Sequence, residues 1–297
     1  MSKVVIVKTK NIYNSHHDIN AEKLLNLYQR GFYLLTGFKD SKNSIPTLFN
    51  TKTKIGIKIN TIGGKKISTR PQVSLSLALY LSEGGFQEKN IIIWDRTNRE
   101  LNNADYKLNM SQRGVKVFGT DSNPIGYTQD LTIHRSIGSR FSIIQSDVIS
   151  QSISLPILKD HGLAGITAGM KNYFGAIHNP NKYHDFNCNP FVADLFDTPI
   201  IRKKHKLTVI DALTVQFHKG PAFHSPWAED YGALIMSTDP VAADYIGWQT
   251  IETLRKEHGL PSLKQENREP KYIKTAEKLS LGRADLTHIN IIKEEIT

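Results

Sequence analysis

The chain has 297 residues, of which 39% are hydrophobic and 22% charged, and its 38 lysines and arginines outweigh 28 acidic residues for a net charge of +10. This balance excludes an intrinsically disordered polypeptide and leaves room for a large buried core, since single cores stop growing near roughly 250–300 residues. No apolar run approaches the roughly 20 residues that cross a bilayer, and the opening MSKVVIVKTK passes straight into a strand pattern without signal-peptide anatomy, so a cytoplasmic protein without membrane association is expected.

In chain order, hydrophobic periodicity and turn residues predict a strand at Val4–Lys8, a helix at Ala21–Thr36, a strand at Lys54–Ile59, a helix at Pro71–Glu83 and a strand at Ile91–Trp94. An irregular stretch rich in Asn, Gly, Asp and Ser follows over Arg96–Thr132. Strands are then expected at Phe141–Ile144 and Ser152–Leu155, helices at Leu163–Phe174 and Phe191–Arg202, and strands at Thr208–Ile210 and Ala233–Met236. Helices at Val241–Glu257 and Tyr272–Leu279 and a strand at Ile289–Ile292 complete the chain. Pro71 after Thr69-Arg70 and Pro240 after Thr238-Asp239 mark two helix starts, where a missing N–H costs nothing. The alternation predicts an α/β fold with a mostly parallel sheet flanked by helices. We read residues 1–297 as one such domain, in one body or in two lobes around a cleft, with a soft lobe boundary in 96–132.

In a parallel sheet, ligands bind outside the carboxyl ends of the strands, so polar residues there point to a site. Lys58-Ile59-Asn60 closes one predicted strand, Asp95 another, Lys159-Asp160-His161 follows Leu155-Pro156, and Asp211 ends Thr208–Ile210. The stretch Leu155–Ile177 carries the strongest signal, because Gly162, Gly165 and Gly169 weaken an apolar helix and let another group approach its backbone. His161 at the start of that helix is expected to stay neutral and to serve as general acid/base. Lys171 and Lys159 would stabilise negative charge, and Asp95 or Asp211 would orient a base or a cation. Asn172 and the loop residues His218 and Lys219, next to Gly220-Pro221, are further candidates for substrate binding, with Lys58 and Asn60.

The single cysteine, Cys188, cannot hold an iron–sulfur cluster by itself, so a divalent metal would need other ligands, the candidates being His161, His178, His218 and Asp211. No phosphate-binding loop, dinucleotide fingerprint, nucleophile elbow or zinc-protease motif is present. The positive charge is dispersed, and its densest run, Arg202–Lys206, lacks interleaved aromatics, which weighs against a nucleic-acid partner.

Taken in order, Lys58-Ile59-Asn60, Thr69-Arg70-Pro71, Asp95, Leu155-Pro156 with Lys159 and His161, Thr167, Lys171-Asn172 with Gly175, Asp211, Gly220-Pro221 and Asp239-Pro240-Val241-Ala242 with Asp244 resemble the family known as domain of unknown function 362. The resemblance runs from about Lys54 to Gly247 and adds Thr69 and Thr167 to the substrate-binding candidates. Many members of that family are fused to, or encoded beside, ferredoxin-type iron–sulfur modules, and many are exported; with one cysteine and no signal-peptide pattern this chain is expected to depart on both counts, and it has Ile157 and Asp160 where members often have lysine and threonine. The function expected is an enzyme acting on a small anionic metabolite by acid/base chemistry, namely isomerisation, racemisation or elimination. The alternatives are a metal- or cofactor-binding protein serving an iron–sulfur redox partner and a nucleic-acid binder.

Overall fold

The computed structural model describes residues 1–297. Its elements are β1 (Ser2–Thr9), α1 (Ala21–Thr36), α2 (Ser41–Leu48), β2 (Ile55–Ile59), α3 (Pro71–Glu83), β3 (Ile91–Asp95), α4 (Asn98–Asn103), β4 (Lys116–Gly119), β5 (Thr132–His134) and β6 (Ile137–Ser139). There follow β7 (Gln151–Leu155), β8 (Ile157–His161), β9 (Gly165–Thr167), α5 (Phe191–Asp197), α6 (Pro199–Arg202), β10 (His205–Gln216), β11 (Ala228–Ser237), α7 (Pro240–Glu257), α8 (Tyr272–Lys278) and β12 (Ile289–Ile296).

One large sheet carries the fold, in the order β12-β1-β11-β10-β7-β2-β3-β4, with β8 added on β10 and β9 on β8. Neighbours are parallel except where β11 meets β1 and β10 and where β9 meets β8. Side-chain alternation splits the core into two. Ile55, Ile57, Ile91, Ile93, Ile153 and Val209 pack against Leu24, Phe32, Leu77 and Leu81 of α1 and α3. Ile92, Trp94, Ile210 and Ile235 pack against Leu195 of α5, Val241 and Ile251 of α7 and Tyr272 of α8. Helices on both faces explain why β2, β3 and β7 are buried throughout and why β2 and β3 read as largely apolar runs.

Two expected elements do not form. Residues 163–174 are not a helix: Gly165 sits at φ +79 in β9, which folds back antiparallel on β8, and only Lys171–Ala176 makes a 3-10 turn. A helix is the wrong period for this stretch, because β-branched Ile166 and Thr167 between Gly165 and Gly169 suit a short strand. Residues 141–144 are not a strand either; Phe141 and Ser142 make isolated bridges to Ile177 and Tyr127, and a helical turn begins at Ile144, whose N–H is taken by the Ser142 hydroxyl at 3.3 Å. The helix expected over 191–202 is broken between α5 and α6 at Thr198-Pro199. The irregular stretch 96–132 contains α4 and β4, and β4 extends the sheet beside β3.

Pro156 makes the opening in which the site lies. Up to Leu155 the chain pairs with β2 as well as β10; beyond it, β8 stays on β10 and leaves β2, and the Asp211 N–H donates to Pro156 O at 2.8 Å. The ends of β2 and β3 then face β8 across a gap. The loop after β10 closes one side of it, held where Gly220 N–H donates to Asp160 Oδ2 at 2.8 Å and Gly162 N–H donates to Gly220 O at 3.2 Å. A Cβ on Gly220 would stand 1.8 Å from the Asp160 carbonyl oxygen. The Gly220→Ala variant is therefore expected to lose about 2 kcal/mol or more in urea unfolding, the range of overpacking at a fixed backbone contact. Unchanged stability would show that this loop is not fastened to β8.

Candidate functional site

The carboxyl ends of β2 and β3 deliver Lys58 and Asp95 as a buried ion pair, with side chains 1% and 3% exposed and Lys58 Nζ 2.6 Å from Asp95 Oδ1. Lys58 Nζ also donates to Ile59 O (2.7 Å) and Asn172 Oδ1 (3.2 Å), so all three ammonium protons have acceptors. Asp95 Oδ2 accepts from the Thr61 N–H (2.8 Å) and hydroxyl (2.7 Å), and Oδ1 from the Arg96 N–H (2.8 Å). Asn172 Nδ2 donates to Lys58 O at 2.7 Å and Ser154 Oγ at 3.0 Å. Gly175 passes over the pair so closely that a Cβ would lie 2.7 Å from Lys58 Nζ, which is why glycine stands there.

Lys159 and Lys171 sit beside this pair without a carboxylate of their own. Lys159 Nζ donates to the backbone carbonyls of Ile62 and Ile67. Lys171 Nζ has His184 Nε2 at 3.4 Å and lies 4.5 Å from the centre of the Phe174 ring. Burial pulls Lys159 down to about 7, with Asp95 opposing and Lys171 reinforcing the fall. Burial likewise pulls Lys171 down to about 8.

His161 ends β8 and stacks on His184, with ring centres 5.6 Å apart. Its Nδ1 accepts from the Leu163 and Ala164 N–H groups at 3.2 and 3.1 Å, which leaves the proton of the neutral ring on Nε2. The ring is held neutral by burial and by the charge of Lys171, which push it down to about 2, and not by a helix N-terminus. His184 Nδ1 donates to Pro180 O at 3.1 Å, so its Nε2 presents a lone pair to Lys171, and burial lowers its pKa.

These groups line one cavity of about 320 Å³. Of the residues singled out in the sequence, Lys58, Asn60, Asp95, Lys159, His161, Thr167, Lys171 and Asn172 line it. Thr69, Asp211, His218, Lys219 and His178 do not. Thr69 stitches two strand ends together, donating to Leu155 O at 2.8 Å and accepting from the Asn60 N–H at 3.2 Å. Asp211 is buried with Leu207, Val209 and Leu213 on the α1 and α3 side of the sheet, where it accepts from the Leu213 N–H at 3.1 Å and burial raises its pKa to about 6. His218 Nδ1 lies 3.2 Å from Arg255 Nη1, and Lys219 is exposed over Trp227. His178 is exposed and edge-on to Tyr127. The four metal-ligand candidates, His161, His178, His218 and Asp211, are thus dispersed, and no group of three or more His, Cys, Asp or Glu side chains is placed to hold a metal ion.

The cavity also recruits Arg96 paired with Glu100, His184, Phe174 and Pro221, which the sequence reading did not assign to the site. Arg96 directly follows Asp95 at a polar strand end, and His184 is one of six histidines crowded into residues 161–224, a signal that marks the region and not the residue.

The fold and this cavity define an α/β protein with a lysine- and histidine-lined pocket at the carboxyl ends of parallel strands. The family model described as Domain of unknown function (DUF362) matches residues 55–249, and the chain belongs to that family. No curated protein matches the chain. Among solved structures it is similar to a protein from Thermotoga maritima, with a TM-score of 0.48 and 9% identity over 80% of this chain and 59% of that one. It is also similar to the lactate racemase apoprotein from Thermoanaerobacterium thermosaccharolyticum, with a TM-score of 0.46 and 12% identity over 84% of this chain and 57% of that one. The chain spans less than two thirds of the length of either structure. No helix is long and apolar enough to cross a membrane.

The buried lysines make stability depend on pH with a definite sign. Unfolded, both titrate near 10.5; folded, they titrate near 7 and 8, so between about 8 and 10 the unfolded chain binds more protons. Stability is therefore expected to rise with pH between about 8 and 9.5 in urea unfolding, and the slope to be shallower in Lys159→Met and Lys171→Met. A flat profile in the parent protein would contradict the burial of these charges.

Proposed function

We propose that the protein is an enzyme that binds a small anionic metabolite in this cavity and moves a proton next to the bound anion, the reaction being an isomerisation, racemisation or elimination. One observation carries the reading. Of the cations lining the cavity, Lys58 and Arg96 are neutralised by Asp95 and Glu100, whereas Lys159 and Lys171 are buried without a carboxylate. Burying an ammonium is costly unless it is paired, and a ligand anion supplies the partner. The volume of about 320 Å³ lies at the low end for small-molecule pockets, which favours a small ligand.

In this reading Lys159, held by two carbonyls, binds the anionic group, and His161 donates its Nε2–H to it. Proton transfer passes from His161, whose ring stays neutral and whose Nδ1 is occupied, to Lys171 and its neighbour His184. A group that titrates near neutral pH suits this work better than one held near 2. Asp95 acts indirectly, fixing Lys58 and through it Asn172.

Anion binding needs the ammonium forms, so affinity for small carboxylates and phosphate is expected to fall as pH rises through about 7 to 8, with proton uptake on binding. Calorimetry with acetate, malonate and inorganic phosphate, in buffers of different ionisation enthalpy, measures both. Lys159→Met and Lys171→Met should each weaken binding about tenfold or more, as for loss of one charge-assisted hydrogen bond. Equal affinity in the double variant would overturn the reading.

A further inference from the structure

Three lysines reach the cavity, but their surroundings prepare them for different chemistry. Lys58 Nζ is tied to a carboxylate and two carbonyl-type oxygens, and Lys159 Nζ to a pair of backbone carbonyls, so both nitrogens are engaged by strong acceptors. Lys171 Nζ has one polar neighbour, the lone-pair nitrogen of a neutral imidazole at 3.4 Å, and rests on the Phe174 ring. Its backbone is pinned on both sides. Asp244 accepts the Gly169 and Met170 N–H groups at 2.6 and 3.1 Å, and Asn172 is fastened to Lys58 O and Ser154. An amine held in place, 7% exposed, beside a lone pair able to take its proton, is set up as a nucleophile.

We propose that Lys171 forms an imine with a small 2-oxo acid, Lys159 holding the carboxylate while the carbonyl carbon meets Lys171 Nζ. This rests on the anion-binding reading above and names its substrate class. The step balances without another reactant: a C–N bond forms, the carbonyl C=O bond breaks, and the oxygen leaves as water with two of the three protons of the Lys171 ammonium, giving a protonated imine. His184 Nε2 takes the first proton and returns it to the departing oxygen, and the His161 Nε2–H polarises that oxygen during attack. A protonated imine draws electrons from the adjacent carbon and acidifies its C–H, which is the proton transfer the cavity is read as performing. Burial lowers the Lys171 pKa and so keeps part of the amine uncharged at neutral pH.

The test treats the full chain with pyruvate, glyoxylate or 2-oxoglutarate and borohydride, and maps the reduced adduct by peptide mass spectrometry. The expected result is one adduct on Lys171, absent from Lys171→Arg, with an excess of malonate protecting Lys171 in the parent protein. Protection gives the answer even if the Lys171→Arg variant does not fold. No adduct with any of the three acids, or adducts only on exposed lysines that malonate leaves unchanged, would overturn the imine. Malonate binding measured in parallel separates the two readings: binding without an adduct removes the imine alone, and absence of binding removes the anion site as well.

Discussion

The site depends on the buried ion pair between Lys58 and Asp95. Two charges taken out of water repay their desolvation only when geometry and further hydrogen bonds satisfy both ions, and removing one partner from such a pair typically costs about 3–5 kcal/mol. Here the partners come from four parts of the chain: the ends of β2 and β3, the Thr61 turn and the Asn172 turn. The pair fastens the Lys171–Ala176 turn over the strand ends, with Gly175 letting it pass. The Asn172 side chain adds a second tie from the β2 side, donating to Lys58 O at 2.7 Å.

The second requirement is the gap itself. Pro156 interrupts the run from β7 to β8, so the chain keeps β10 as a neighbour and loses β2. A strand that stayed paired with β2 would fill the space the cavity occupies and carry Lys159 past it. The network of buried Asp160 and Arg255 with half-buried Arg268 and Glu266 holds the far end of β8 in its departed position, with Arg268 Nη1 2.8 Å from Asp160 Oδ1 and Arg255 Nη2 2.7 Å from Glu266 Oε1. Asp160 thereby supports the wall from behind, and its side chain is spent on arginine and the Gly220 N–H rather than on the cavity.

Much of this was legible in the sequence, for a physical reason. Strands buried on both faces write themselves as apolar runs, and the charged residues that close them, Lys58 and Asp95, stand out against that background. The segment from Lys159 to Asn172 borders the cavity, while its secondary structure was misread. Its glycines looked like close approaches on a helix; they serve a hairpin and a turn, since Gly165 needs a positive φ and Gly169 packs against Thr208 and Asp244. Asp211 shows the converse limit. It ends an apolar run as Asp95 does, but β10 continues past it to Gln216 in register with β11, and Asp211 lies mid-strand on the α1 side with Leu207, Val209 and Leu213. Register of that kind follows from the pairing of distant strands and is not written locally. His184 could be noted only as one of six histidines in residues 161–224, for the related reason that its position is decided by the loop's contacts with Lys171 and Pro180.

Lys58 and Lys171 are both buried lysines within one cavity, yet the same low-polarity setting acts on them oppositely. Around Lys58 it strengthens the attraction to Asp95, and every ammonium proton has an acceptor. Around Lys171 no acceptor repays the cost of the charge, so burial works against the ammonium and favours the amine. Burial alone therefore assigns no role; the difference lies in whether a carboxylate was built beside the nitrogen. By supplying one to Lys58 and withholding it from Lys171, the fold ties the first lysine into the strand ends and leaves the second at the cavity wall without an acidic partner.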